Sequence, residues 1–131
     1  MEKVFIEKCS EYENSKNALL SILSNFECLK KINSKSKVLI KANLVSALPP
    51  EKGATTNYLL LSFLVDFLKN KGAKVVIGDS PGGQYNKSHL DHIYKITKMN
   101  ETGAELNYNF GIKNASNNEA MFLKNFDYTS Y

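Results

Sequence analysis

The chain has 131 residues, of which 43% are hydrophobic and 23% charged, as expected for one globular domain over residues 1–131. Its net charge of +4 comes from scattered lysines without a single arginine, which argues against a nucleic-acid partner. No apolar run approaches membrane-spanning length, and the charged N-terminal stretch lacks the apolar core of a signal peptide. We therefore expect a cytoplasmic protein with no membrane partner.

The first two predicted elements are a strand and a helix. Residues 3–8 alternate between polar and apolar side chains, which predicts a strand. Asn14 or Ser15 can cap a helix that runs to about Lys31, because its apolar positions recur at helical spacing.

The next two elements are also a strand and a helix. Residues 37–43 predict the second strand, and a polar loop with two prolines follows it. Thr55 or Thr56 is expected to cap the second helix, residues 57–70. Gly72 follows its last turn, as is common where helices stop.

The third strand is predicted over residues 73–78, where β-branched side chains form a buried run. A third helix is expected from Ser88, which has capping-box spacing, to about Met99. Residues 104–110 and 119–126 predict two further strands. Alternation of this kind indicates an α/β domain, a Rossmann-like three-layer arrangement with a mainly parallel sheet of about four to five strands and helices on both faces.

The predicted carboxyl edge of that sheet carries most of the polar loops, and ligands bind at this edge in such folds. A lysine there can neutralise an anion, hydroxyl and amide groups can orient it, and glycine N–H groups can approach it closely. The candidate ligand-binding residues are Lys41, Asn43, Thr55, Thr56, Ser80, Gly82 and Gly83. The first strand is expected to bring Cys9 and Ser10 to the same edge.

Asp79 is the acidic residue at this edge and the candidate general base or metal contact. The expected ligand is a small anion, phosphate or carboxylate. In the alternative interpretation, Pro81 and the glycines form a plain turn in which Asp79 and Ser80 bond to neighbouring backbone.

The sequence offers little for a metal or cluster. Cys9 and Cys28 are the two cysteines, too few for a four-ligand zinc or iron–sulfur site. His89 and His92 lie one helical turn apart beside Asp91, but no third ligand converges on them in sequence. We expect no metal and no cofactor in this chain.

Several motifs between residues 41 and 106 resemble those of the domain of unknown function 362 family. That family has a strand ending in Lys-Pro-Asn, a loop with Thr-Thr-His-Pro, and a later Gly-Asp-Ser-Pro. The matching residues here are Lys41-Ala42-Asn43, Thr55-Thr56-Asn57-Tyr58, Gly72-Ala73 and Gly78-Asp79-Ser80-Pro81, and residues 102–106 fit the entry to the fourth strand. Ala42 stands in place of the proline of Lys-Pro-Asn, and Asn57 stands in place of the histidine of Thr-Thr-His-Pro. An acid–base role at that histidine position is therefore not expected here.

The resemblance implies that this chain corresponds to the N-terminal part of a longer domain. Some longer members carry a ferredoxin-type iron–sulfur domain, which implies redox-linked chemistry with a cluster only in those members. A piece of a longer domain exposes apolar surface, so we expect a homodimer. The alternatives are a non-catalytic folding or interaction module, and a relative of the N-terminal half of nickel-pincer lactate racemases, which it resembles in layout.

Overall fold

The computed structural model describes residues 3–82 and 86–108. Helices and strands alternate from the first long helix onward, as predicted. Helices α1, α2 and α3 span Ser15–Leu23, Tyr58–Asn70 and Lys87–Ile96, and strands β1, β2 and β3 span Lys37–Lys41, Lys74–Gly78 and Glu105–Leu106. Short 3₁₀ turns lie at Tyr12–Asn14, Glu27–Lys31, Pro50–Lys52 and Met99–Glu101.

The strands form a parallel sheet in the order β1-β2-β3. In register, Ile40 lies opposite Ile77, and Ile77 lies opposite Leu106. Each parallel connection contains a helix, as parallel pairing requires. The prediction of a mixed α/β fold with a parallel sheet is therefore confirmed.

The core lies on one face of this sheet. Ile40, Val75 and Ile77 share that face, because register partners and alternate residues of a strand point the same way. Both connecting helices contribute to the same buried cluster, whose helical members are Leu61, Val65, Leu68, Leu90, Ile93 and Tyr94. The expected third layer and the total of four to five strands are not confirmed, since the described residues contribute three strands. The strand predicted at 104–110 forms in part, as β3, and the strand predicted at 119–126 lies outside the described residues.

The other face of the sheet is mixed in character. Leu39 and Val76 are opposite each other there and remain half-buried. Charged side chains surround them, and Lys74 forms an ion pair of 3.2 Å with Glu105 on the next strand. This face is therefore less enclosed than the core face.

Helix α2 has well-defined ends. Its N-cap is Asn57, whose side chain accepts a hydrogen bond from the Leu59 N–H at 2.9 Å, so the predicted cap at Thr55 or Thr56 is wrong by one or two positions. The predicted glycine stop is confirmed. Gly72 has φ 87°, and the Ala73 N–H returns to the Leu68 carbonyl at 3.2 Å, as in a Schellman motif.

The strand predicted at residues 3–8 is wrong. That segment pairs with no strand in the described part of the chain, and it packs beside α1 instead. The Ser21 hydroxyl donates to Glu7 at 2.5 Å, and the rings of Phe5 and Phe26 meet edge to face at 5.6 Å. A segment of alternating polar and apolar residues forms a strand only when a neighbouring strand provides its backbone hydrogen-bond partners.

The first helix is shorter than predicted, because it ends at Leu23 instead of near Lys31. Ser24 and Asn25 both donate side-chain hydrogen bonds to the Ser21 carbonyl, at 2.7 and 2.8 Å. Such bonds compete with the next helical turn. The chain then forms a separate 3₁₀ turn at Glu27–Lys31.

Helix α3 begins slightly earlier than predicted. Asn86, and not Ser88, is its N-cap, since its side chain accepts from the His89 N–H at 2.8 Å. The helix ends at Ile96, and Lys98 at φ 60° turns the chain before Met99. Within residues 3–82 and 86–108, no helix is long and apolar enough to cross a bilayer.

Candidate functional site

The ends of β1 and β2 meet through an ion pair at the carboxyl edge of the sheet. Lys41 lies opposite Gly78 in register, and its ammonium reaches the Asp79 carboxylate at 2.7 Å. The lysine side chain is 69% exposed, while the aspartate is buried. The ammonium has three N–H donors, so it keeps donors that Asp79 does not use.

The Asp79 carboxylate joins the two loops that follow these strands. One oxygen accepts from Lys41, and the other accepts from the buried Leu44 N–H at 2.7 Å. The Gly82 N–H donates to the Val45 carbonyl at 3.0 Å and ties the same loops further out. Asp79 therefore joins the loop after β1 to the loop after β2. Its role as a general base stays a prediction, as does the alternative of a plain turn.

Asn43 and Thr56 connect the end of β1 to the start of α2. The Asn43 N–H donates to the Thr56 hydroxyl, and the Thr56 N–H donates to the Asn43 carbonyl, both at 2.9 Å. The Asn43 side chain adds a longer contact of 3.4 Å to the Ala54 carbonyl. These two residues are thus brought together as predicted, and they bond mainly to each other.

Two of the candidate ligand-binding hydroxyls have no hydrogen-bond partner within the described ranges. Thr55 is 9% exposed, and its buried hydroxyl oxygen is one of them. Ser80 is the other, and it is exposed. Because buried polar groups are almost always hydrogen-bonded, Thr55 lacks a partner that a ligand or an ordered water can supply.

Of the two glycines predicted to bind the ligand, only Gly82 lies within the described residues. The Gly82 N–H is used by Val45, and a Cβ at Gly82 would lie 3.6 Å from the Val45 carbonyl oxygen, an ordinary contact. Packing alone therefore does not demand glycine at this position. Gly83 lies outside the described residues.

Val45 is a strained residue in the loop after β1. Its φ is 38°, in the left-handed region that β-branched residues rarely enter, and the residue is 49% exposed. Backbone strain of this kind costs about 1–3 kcal/mol and clusters at ligand sites. Nothing in the sequence pattern indicates it.

A cluster of tyrosines and charges lies beside the edge, between the first turns of α3 and the end of β3. The Tyr94 hydroxyl donates to the Asn107 carbonyl at 2.5 Å, and burial raises the pKa of Tyr94. The Tyr108 hydroxyl donates to Asp91 at 2.6 Å. Burial, followed by this bond to Asp91, raises the pKa of Tyr108 to about 12.

Lys87 completes that cluster. Its ammonium lies 2.7 Å from Asp91 and 4.7 Å from the centre of the Tyr108 ring. The hydrogen bond from Lys87, together with that from Tyr108, holds the pKa of Asp91 below its usual value. Sequence reasoning missed this cluster, because its members meet only through the fold.

The cysteine and histidine candidates do not come together in one site. Cys9 and Ser10 are exposed and lie with the N-terminal segment beside α1, because the first predicted strand does not form. His89 contacts the Gly82 carbonyl at 3.2 Å, and His92 is exposed. Among the described residues, no three His, Cys, Asp or Glu side chains are grouped so that they could hold a metal ion.

Comparison with known proteins gives one match. The model of the family described as domain of unknown function (DUF362) matches residues 38–127. The match begins in β1 and includes every candidate ligand-binding residue of the edge, whereas α1 and the N-terminal segment lie outside it. No curated protein and no solved structure matches the chain.

Proposed function

The chain belongs to the family described as domain of unknown function (DUF362), and from this premise we propose that it binds a small anion, phosphate or carboxylate, at the carboxyl edge of its sheet. The observation that carries the proposal is the buried, unpartnered hydroxyl of Thr55. It lies in the loop that enters α2, next to Thr56 and its bond to Asn43.

The charge and the hydroxyls at the edge suit such a ligand. Lys41 supplies an exposed ammonium, while the Thr55 and Ser80 hydroxyls supply donors that orient an oxyanion. The start of α2 adds the favourable potential of a helix N-terminus. The remaining candidate residues hold this arrangement in place, namely Asn43, Thr56, Asp79 and Gly82.

The strain at Val45 supports the same assignment. A β-branched residue at φ 38° persists only where the surroundings enforce it, and its carbonyl accepts the Gly82 N–H that closes the two loops. In the proposal, this strain is the cost of holding Lys41 and Ser80 in one orientation before the ligand arrives.

The proposal extends to the reaction and to the layers around the sheet. Because some longer members of the family carry ferredoxin-type domains, we assign this chain the ligand-binding part of a redox-linked enzyme. The sheet would be completed to a Rossmann-like arrangement of four to five strands. Its carboxyl edge is where such folds bind ligands.

Two valine substitutions test the binding site. Thr55→Val removes the unpartnered hydroxyl and should weaken phosphate or acetate binding without loss of stability. Thr56→Val removes the hydroxyl that accepts from Asn43 and should lower the free energy of unfolding by about 0.5–1.5 kcal/mol, because this hydrogen bond is exposed. Calorimetric titration and urea unfolding separate these effects. The proposal fails if the unmodified chain binds no simple oxyanion, or if Thr55→Val binds as tightly.

A second candidate function, a self-associating interaction module, rests on exposed apolar side chains. Val4 is 84% exposed and Ile6 is 86% exposed, and the second sheet face holds Leu39 and Val76 half-buried. Strand β1 is also an edge strand of the described sheet. Sedimentation velocity over a range of concentrations tests this function, and a monomer at every concentration would contradict it.

A further inference from the structure

A cleft of about 460 Å³ lies between the N-terminal segment and helices α1 and α2. This volume falls within the range of about 300–1,000 Å³ that is typical of small-molecule sites. Its floor is apolar and consists of Ala18, Leu19, Ile22 and Leu60. All four side chains are half-buried, so the cleft remains open to a ligand.

The wall opposite α1 is the segment that does not form the expected strand. Its position is fixed by the hydrogen bond from Ser21 to Glu7 and by the edge-to-face contact of Phe5 with Phe26. The Cys9 thiol and the Ser15 hydroxyl donate to the carbonyls of Glu11 and Tyr12, which are local bonds at the turn that leads into α1. These contacts hold the N-terminal segment in place beside α1 and so maintain the cleft between them.

The rim of the cleft is acidic, although the protein as a whole is basic. Glu7 and Glu11 line it, and neither forms an ion pair with any described residue. The chain nevertheless carries a net charge of +4. A negative rim above an apolar floor complements a ligand that joins a cation to a hydrocarbon body.

We propose that this cleft binds a small organic cation, an ammonium group attached to an aromatic or branched aliphatic body. The ammonium lies between the carboxylates of Glu7 and Glu11, and the apolar body lies on Leu19 and Leu60. This site is separate from the carboxyl edge of the sheet and has the opposite charge preference. Its ligand preference is therefore testable whatever the edge binds.

The test uses 2-phenylethylammonium as the probe and 3-phenylpropionate as an anion of similar shape. Amide NMR shifts of the full chain should saturate with the cation at residues 7–22, and the anion should give no saturable shifts there. Glu11→Gln should weaken cation binding about 3- to 5-fold, the effect of one exposed charge. Glu13→Gln, in the same turn but outside the cleft lining, should leave it unchanged.

A third variant tests the apolar floor. Leu19→Trp fills the cleft and should abolish binding, with circular dichroism as the check on folding; if it does not fold, Glu11→Gln still decides the matter. The proposal is overturned if neither probe binds, if both bind equally, or if Glu11→Gln binds the cation as tightly as the unmodified chain. It is also overturned if binding weakens as protein concentration rises, because a second copy then occupies the cleft.

Discussion

Replacing Asp79 with alanine should lower the free energy of unfolding by about 1–4 kcal/mol. The larger part comes from the Leu44 N–H, which is fully buried and would lose its acceptor, at a cost of about 1–3 kcal/mol. The ion pair with Lys41 contributes at most about 1 kcal/mol, because the lysine side chain is 69% exposed. Domains of this kind are stable by about 5–15 kcal/mol, so the loss is readily measured.

Urea unfolding followed by circular dichroism gives this free energy. Two further variants separate the contribution of the ion pair with Lys41 from that of the hydrogen bond from Leu44. Lys41→Met removes only the ion pair and should cost no more than about 1 kcal/mol. Asp79→Asn keeps an oxygen that can accept from Leu44 and should fall between the other two. If Asp79→Ala costs less than about 0.5 kcal/mol, as an ordinary surface change does, then Asp79 does not join the two loops.

Three further changes test other parts of the account. Gly72→Ala should lower the free energy of unfolding by about 1–3 kcal/mol in the same assay, because φ is 87° and the new Cβ would lie 3.0 Å from the Ser34 Cα. An unchanged free energy of unfolding would contradict the Schellman geometry. Val45→Asn should stabilise the chain by up to about 1 kcal/mol, since asparagine tolerates a positive φ, and destabilisation would argue against strain there. The pKa of Tyr108 rises from 10.0 to about 12 on folding, so its contribution to stability is present below pH 10 and is lost as the pH rises to about 12. Tyr108→Phe should therefore reduce the fall in unfolding free energy over that pH range, and an equal fall in both proteins would contradict the shift.

The parts of the fold that could be predicted are those fixed by local sequence. Helix α2 and strand β2 have long apolar patterns, and Gly72 marks the helix end by a conformation that other residues adopt with strain. The segment at 3–8 has the alternation of a strand but no partner strand in the described residues. Its failure shows that a strand depends on its neighbours as well as on its own pattern.

The candidate site was predictable only as a set of loops. Parallel topology places the residues after β1 and β2 at one edge, so the sequence indicates that Lys41 and Asp79 belong together. It does not indicate that Asp79 also accepts from Leu44, or that Thr56 is bonded to Asn43 while Thr55 is not. Those assignments depend on loop conformations that residue type leaves open.

The most direct test of the central claim is an amide NMR titration of the chain with inorganic phosphate. The account predicts saturable shifts that centre on Thr55 to Leu59 and on Ser80 to Gly82, and that vanish in Thr55→Val combined with Lys41→Met. Shifts that do not saturate, or that saturate only at residues remote from both loops, would contradict an anion site at the carboxyl edge.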